Sequence, residues 1–560
     1  MIRLLMTLVV AAASLPSAAD QAMRDAALEN GAGYRLALPF EDFAPPATAS
    51  APATQIEGRL RLDMTALSGG FQKVRDLYGA ADDPALAVRS LPEIDIALVQ
   101  SGKDIVPVHQ GLTTTAHPYF DLIFTPGKAW REGDGRRFIS LPFALMEKNA
   151  NCMHNGALLV ALDAAGKASD AIAQVGSETC AYFQFNLWAA FKAEWQDGPQ
   201  DGAASAATAH EVLTAARLPQ QSVTEAPKGP SAAALAQEGT IAQNDMTAYG
   251  LVLDGVHYMG GCETRLGRYP HCETMVLPSY SLAKSLAGGL GLMALERALP
   301  GLADRKVADL VPACEGWGDV TLGHLLNMTT GRYKSRKAHV DEASAGYVPF
   351  FTAITGAEKT AFSCDYFGKE TKPGKRWVYH TSDTYLLGVA MNAALSEEVA
   401  PEADYYRDHL LPVWQEMGLS PLMAVMRRTK GPDASPFTGY GMALTADDIA
   451  RIASSLTSGT TPFEGPMLDA ALQRNPEDRG MQAGDKTLRY KNGFWAWNAR
   501  GSLGCKADTW LPFFSGYGGI TVVLLPGGNA YYYFSDGGVH AFATAIKAIS
   551  AVTPICGDMS

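Results

Sequence analysis

Along the first third of the chain, apolar positions come in short, partly alternating runs. Tyr34-Arg-Leu-Ala-Leu, Leu60-Arg-Leu, Ile94-Asp-Ile-Ala-Leu-Val, Phe120-Asp-Leu-Ile-Phe and Ala157-Leu-Leu-Val-Ala-Leu are separated by Gly, Pro, Asn and Asp. A two-residue period puts alternate side chains on opposite faces of a strand, and frequent turn formers fold such strands into a sandwich or barrel. Asn155-Gly156 has the composition of a hairpin turn. The pattern predicts an all-β module over 20–194. It holds no pairing of nucleophile and base, which points to binding or packing.

The pattern then breaks. Residues 195–233 are rich in Ala, Gly, Pro, Gln, Ser and Thr, with large apolar residues mainly around Val212–Leu218. That composition predicts a linker with one short helix. From 234 to 560 the apolar runs lengthen. Met246–Gly255 reads as a strand ending in a turn. Ser281–Leu299 reads as a helix apolar on nearly every side, stopped by Pro300, and such a helix has to be buried in a larger domain. Ile520–Leu525 and Tyr531–Phe534 read as strands joined by Pro526-Gly-Gly-Asn, with a helix over His540–Val552 after them. Helices bracketed by strands at both ends predict an α/β or α+β domain whose sheet is closed by its two termini.

Composition narrows the classes. Of 560 residues, 47% are hydrophobic and 19% charged, which fits globular domains and excludes a disordered or fibrous chain. A net charge of -12 without a basic stripe argues against nucleic acid as a partner. Arg3, the apolar run Leu4–Ala13 and the small residues Ser17 and Ala19 read as a secretory signal over 1–19, the run being too short to span a bilayer. No later segment holds about 18 uninterrupted apolar residues. The expectation is an exported protein, periplasmic or extracellular, without a membrane span. Export permits disulfides. There are eight cysteines, and short loops close at least entropic cost, which favours Cys152–Cys180 and Cys262–Cys272. No Cys-x-x-Cys and no His-Glu-x-x-His occurs, so a zinc site is not expected.

Neither Gly-x-Ser-x-Gly nor a P-loop is present. The nucleophile signal is Ser281-Leu-Ala-Lys284. Three residues apart on a helix, the two side chains share a face. A buried lysine ammonium gives up its proton near neutral pH and then serves as a base toward the serine. Ser281 also falls at a helix start, where backbone N–H groups are unpaired and the dipole favours an oxyanion. The competing reading is a solvated surface lysine. It conflicts with the apolar surroundings, where a charge without a purpose is costly.

Ser281-Leu-Ala-Lys-Ser-Leu-Ala-Gly-Gly-Leu resembles the Ser-x-x-Lys helix of the serine β-lactamase and penicillin-binding-protein superfamily. Within it the chain looks most like the class C branch, which includes esterases, D-aminopeptidases and 6-aminohexanoate-dimer hydrolases. The resemblance continues in order. Leu322-Gly-His-Leu-Leu-Asn-Met-Thr-Thr-Gly331 is similar to the family's "LLxHTSG" stretch. Pro373-Gly-Lys-Arg-Trp-Val-Tyr379-His-Thr381, followed by Ser382–Gly388, falls where the family carries Tyr-x-Asn. Tyr440–Arg451 resembles "GLxSTAxDLARF", and Ser515-Gly516-Tyr517-Gly-Gly-Ile resembles the last motif strand. The similarity covers about Met246 to the end.

What the resemblance implies is an antiparallel sheet flanked by helices, with a helical subdomain, and a covalent acyl-enzyme formed without metal or organic cofactor. By resemblance Ser281 is the nucleophile, Lys284 its base partner and Tyr379 the second proton-transfer group. The backbone N–H groups of Ser281 and Tyr517 form the oxyanion hole, and Thr381, Ser515 and Gly516 meet the substrate. Two departures matter. Thr381 stands where much of the family has Asn, and Phe514-Ser515-Gly516 stands where β-lactamases have Lys-Thr-Gly. The missing cation normally meets a substrate carboxylate, so the expected substrate is a small neutral ester or amide. Arg332, Lys334 or Arg336 would replace that lysine if one reached the site. Phe494, Trp495, Trp497, Trp510, Phe513 and Phe514 supply either an apolar acyl pocket or core. Two rivals follow: a true β-lactamase or penicillin-binding peptidase, and a catalytically silent binding or sensor module on the same fold.

Overall fold

The structure, a computed structural model, describes residues 18–226 and 229–557. All but the last two residues of the segment read as an export signal lie outside the described residues. In the N-terminal region, the strands Glu57–Asp76, Asp95–Ser101, Asp104–Pro107, Gly127–Arg131, Arg137–Glu147, Met153–Leu162, Ala171–Thr179 and Phe183–Asp197 pair antiparallel, each with the next, and the last pairs with the first. These eight strands close into a barrel, and Phe120–Phe124 with Gly111–Thr113 pair beside it as a short edge. Arg137–Glu147 is long enough to hold Gly127–Arg131 along its first half and Phe120–Phe124 along its second. Leu60, Leu98, Ile139, Leu158 and Leu187 are among the side chains that fill it.

Two expected local features differ. Tyr34–Leu38 is not a strand. It lies between the short helical turn Gly31–Gly33 and Pro39, and its groups bond to the buried side chains of Gln174 and Ser68 instead of a ladder. Gln174 accepts from Tyr34 Oη (2.8 Å) and Leu38 N (3.1 Å) and donates to Leu38 O (2.8 Å). Asn155-Gly156 is no turn either. It sits inside Met153–Leu162 at a register shift, and the chain reverses earlier, at 148–150, where Asn149 takes a left-handed φ of 57°. The Asn155 amide instead pairs with the backbone of Val276, accepting from its N–H (3.1 Å) and donating to its carbonyl (2.9 Å).

The stretch 195–233 is more ordered than its composition suggests. Its first residues complete Phe183–Asp197, and the helix Ala203–Ala216 follows. Ala203, Ala206 and Ala207 pack on Val99 and Val106 of the barrel, small side chains allowing a close approach. Gln220–Ser222 then joins the second sheet, parallel to Val256–Gly261.

That second sheet runs in the order Gln220–Ser222, Val256–Gly261, Met246–Leu253, Ala530–Ser535, Ile520–Leu524, Trp510–Gly516, Phe494–Asn498, Leu488–Lys491, Met481–Gln482. Met246–Leu253 pairs antiparallel with Ala530–Ser535, so the two ends of the domain meet at its centre. Ala446–Ser458 packs against this sheet; Thr445 and Asp448 cap it reciprocally. Shorter helices between Val307 and Glu416, with the long helix Thr381–Glu398, form the helical part. The whole is an α/β arrangement preceded by an all-β region. All eight cysteines are paired: Cys152–Cys180, Cys262–Cys272, Cys314–Cys364 and Cys505–Cys556. Among the described residues no helix is long and apolar enough to cross a membrane.

Candidate active site

Ser281 follows a short ladder in which Leu277–Pro278 pairs with Ala443–Leu444. Tyr280 has a φ of 38°, a conformation that costs a side-chain-bearing residue about 1–3 kcal/mol and persists where its surroundings enforce it. Here the barrel enforces it. Asn151 Oδ1 accepts the Tyr280 N–H at 2.6 Å, and Tyr280 Oη lies 3.0 Å from Cys152 Sγ and 3.3 Å from Thr179 O. The helix then begins tightly, with Leu282, Ala283 and Lys284 each bonded to the carbonyl three residues back. It widens into a π-helical turn over Lys284–Gly289 before Leu290–Ala298 resumes α geometry. Such widened turns recur at functional sites.

Ser281 is half-buried, and Lys284, one turn on, is buried. Lys284 Nζ lies 2.9 Å from Ser281 Oγ, and Tyr379 Oη lies 2.8 Å from the same oxygen. Lys284 Nζ also donates to Thr381 Oγ1 (2.9 Å) and to the Gly439 carbonyl (3.0 Å). Burial pulls the Lys284 ammonium down to about 8, against the upward pull of Glu342 and Asp383. Burial, with Glu342 adding to it, pushes the Tyr379 phenol up, so it stays protonated at neutral pH. A Cβ at Gly439 would stand 2.9 Å from Thr381 Cγ2 and 3.4 Å from Lys284 Nζ, so a larger residue there would displace Thr381. The structure thus brings Ser281, Lys284, Tyr379 and Thr381 together.

Three further residues complete the constellation, none belonging to a sequence motif. Glu342 accepts from Thr381 N (2.9 Å) and from Thr381 Oγ1. Its neighbour Asp341 lies 3.1 Å from His380 Nε2. Burial works against the charge on His380, yet Asp341 and Asp383 hold it up to about 9. This acidic pair clasps the two residues after Tyr379. His339 packs its ring on Tyr379 (5.4 Å) and over Trp495 (6.1 Å). The only sequence signal was the run His339-Val-Asp-Glu itself.

The last motif strand, Trp510–Gly516, runs alongside the backbone just before Ser281. A Cβ on Gly516 would lie 3.1 Å from Ser279 O and 3.5 Å from Tyr280 Cβ, so the missing side chain permits the approach. Tyr517 is half-exposed, its ring 5.6 Å from that of Tyr280. Ser515 Oγ lies 3.4 Å from His540 Nδ1, and burial, followed by His339, lowers the His540 pKa. The six aromatic residues divide. Phe514 and Phe494 are fully buried against each other (5.0 Å), whereas Trp495 stacks on both Tyr379 (6.1 Å) and Phe513 (5.9 Å). Trp497 packs on Phe542 and Trp510 lies beneath Arg489. Of the candidate cations, Arg332 donates to Gly316 O and lies over Trp317, and Lys334 lies over Tyr366.

The sequence model of the β-lactamase family matches residues 233–540, more than half of the chain. The chain belongs to the β-lactamase family, and at that level it is a serine hydrolase. No curated protein matches its sequence. Among solved structures it is similar to the hydrolase EstCE1, which has promiscuous acyltransferase activity, at 13% identity and a TM-score of 0.43, over 61% of this chain and 99% of that one. A β-lactamase from Mycobacterium bovis matches at 17% identity and a TM-score of 0.33, over 55% and 93% of the two chains. Simvastatin synthase from Aspergillus terreus, unliganded, matches at 15% and 0.34, over 56% and 95%.

Proposed function

We propose that the protein is an exported hydrolase that cleaves a neutral ester or amide through an acyl-enzyme at Ser281. The observation that carries this reading is the convergence of Lys284 Nζ and Tyr379 Oη on Ser281 Oγ at 2.9 and 2.8 Å. Neutral Lys284 takes the serine proton as the oxygen attacks the carbonyl carbon. Tyr379, which stays protonated, delivers its proton to the leaving group and is reprotonated from Lys284. In deacylation the same groups draw the proton from water. Ser281 N–H and Tyr517 N–H are the proposed oxyanion donors, each worth about 3 kcal/mol of barrier. Thr381, Ser515 and Gly516 are the proposed substrate contacts. The paired cysteines support export.

The preference for a neutral substrate rests on charge. A β-lactam carboxylate that leaves water without a partner costs several kcal/mol. Phe514 lies in the core, Arg332 and Lys334 are engaged elsewhere, and burial keeps His540 neutral near pH 7. Labelling of the purified protein with a fluorophosphonate and with a fluorescent penicillin, beside kinetics on p-nitrophenyl butyrate and nitrocefin, tests both parts. The expected result is Ser281 labelling by the fluorophosphonate and a higher kcat/KM for the butyrate. A higher kcat/KM for nitrocefin would make the protein a β-lactamase, and no labelling with either probe would make it a binding module.

A further inference from the structure

A neutral lysine amine has two N–H bonds and one lone pair, and three oxygens surround Lys284 Nζ: Ser281 Oγ, Thr381 Oγ1 and Gly439 O. Which oxygen meets the lone pair decides whether the amine is a base toward Ser281. The Gly439 carbonyl can only accept. A threonine hydroxyl can donate or accept, so Thr381 is the variable. Resting on the reading of Ser281 as nucleophile, we propose that Glu342 is a positioning residue that aims the Lys284 lone pair at Ser281 by holding the Thr381 hydroxyl in its accepting orientation.

Glu342 binds Thr381 twice, at the backbone N–H (2.9 Å) and at the hydroxyl. The Thr381 proton is thereby committed to the carboxylate, and what Thr381 Oγ1 turns to Lys284 is a lone pair. Both N–H bonds of the neutral amine then go to Thr381 and Gly439, leaving its lone pair for the Ser281 proton. When that proton crosses to Nζ, the ammonium has three N–H bonds and already faces three acceptors, so no partner has to reorient. In the Asn-bearing family pattern an amide stands at this position. Here a Thr–Glu pair occupies it, which explains how Thr381 is accommodated without that amide.

The charged and titratable groups facing Lys284 are Tyr379 and Asp383, from the Thr381–Glu398 helix and its approach, and Glu342 from the segment before it. Glu342 and Asp383 both favour the ammonium, so neutralising Glu342 moves the lysine titration to lower pH. A simpler role for Glu342 would be capping, since Thr381 opens the helix Thr381–Glu398.

The test is the pH dependence of fluorophosphonate labelling at Ser281 in the full mature chain. Glu342→Gln keeps an oxygen for the Thr381 N–H and offers an amide that donates to the hydroxyl, freeing the threonine proton to compete for the lone pair. The expected result is a plateau labelling rate about tenfold to a hundredfold lower, part of what a positioned proton transfer supplies, with the acid limb at lower pH. Thr381→Val should show a similar fall in rate and Thr381→Ser should restore it. That pair decides the matter if Glu342→Gln does not fold. A Glu342→Gln protein that melts earlier but labels at the parental rate, with the parental acid limb, would leave Glu342 a helix cap only. An unlabelled parent would instead remove the Ser281 reading beneath it.

Discussion

Asn151, in a loop of the barrel, accepts the backbone N–H of Tyr280 at 2.6 Å, so a residue of one domain sets the conformation of the residue that precedes Ser281 in the other. The same amide donates to Met442 O at 3.0 Å and thus ties together both strands of the short ladder beside the serine. Asn151→Ala would leave the buried Tyr280 N–H without its acceptor, which costs about 1–3 kcal/mol. The expected outcome is that loss in urea denaturation together with slower fluorophosphonate labelling. A stability loss with unchanged labelling would show that the left-handed turn at Tyr280 is held by other contacts.

The rate should rise with pH. Burial holds Lys284 down to about 8, so below that pH the amine is mostly protonated and unable to take the serine proton. The kcat/KM for p-nitrophenyl butyrate is expected to climb about tenfold per unit at lower pH and to level off above about 8. A pH-independent rate from about pH 6 to 9 would remove Lys284 as the base.

Tyr379→Phe should preserve the fold and depress turnover. The ring stays against Trp495 and His339, and only the hydroxyl facing Ser281 Oγ is lost. A fall of about 10² to 10⁴ in kcat is expected, with melting temperature within a few degrees of the parent. Parental turnover in this variant would assign the leaving-group proton to another donor.

Disulfides should separate stability from chemistry. Replacing either Cys152 and Cys180 or Cys505 and Cys556 by Ser pairs is expected to cost about 2–5 kcal/mol. Of these two pairs, the first abuts the turn before Ser281, through Cys152 Sγ and Tyr280 Oη at 3.0 Å. Labelling of Ser281 should therefore slow in the first variant and remain parental in the second. Equal labelling rates in both would uncouple the barrel disulfide from the site.

Much of this arrangement was legible because it is written locally. Ser281 and Lys284 show a three-residue spacing in an apolar helix that resembles the family's Ser-x-x-Lys, and Tyr379 stands out by the resemblance of Pro373–Thr381 to the family's Tyr-x-Asn stretch. The strands Ile520–Leu524 and Ala530–Ser535 announce themselves by composition and by the turn between them. Asn151 and Glu342 were invisible for the opposite reason. Each acts through one side chain on a backbone or hydroxyl group far away in sequence, and no period or spacing encodes such a contact. The closure of the barrel was equally hidden, because alternation specifies which face is buried and not which strand lies alongside. Ala203–Ala216 shows a third limit: the composition predicts a linker with one short helix, and the helix is longer, with Ala203, Ala206 and Ala207 packed on the barrel.

The β-lactamase stretch carries Ser281, Lys284 and Tyr379, yet groups outside it hold the backbone that leads into Ser281. Asn151 fixes Tyr280, Asn155 holds both polar groups of Val276, and Gln184 donates to Asp536 at 2.5 Å. A change at any of these barrel positions reaches the hydrolase domain directly, through one hydrogen bond. Substitutions at these barrel positions therefore bear on the backbone that leads into Ser281 as well as on the barrel itself.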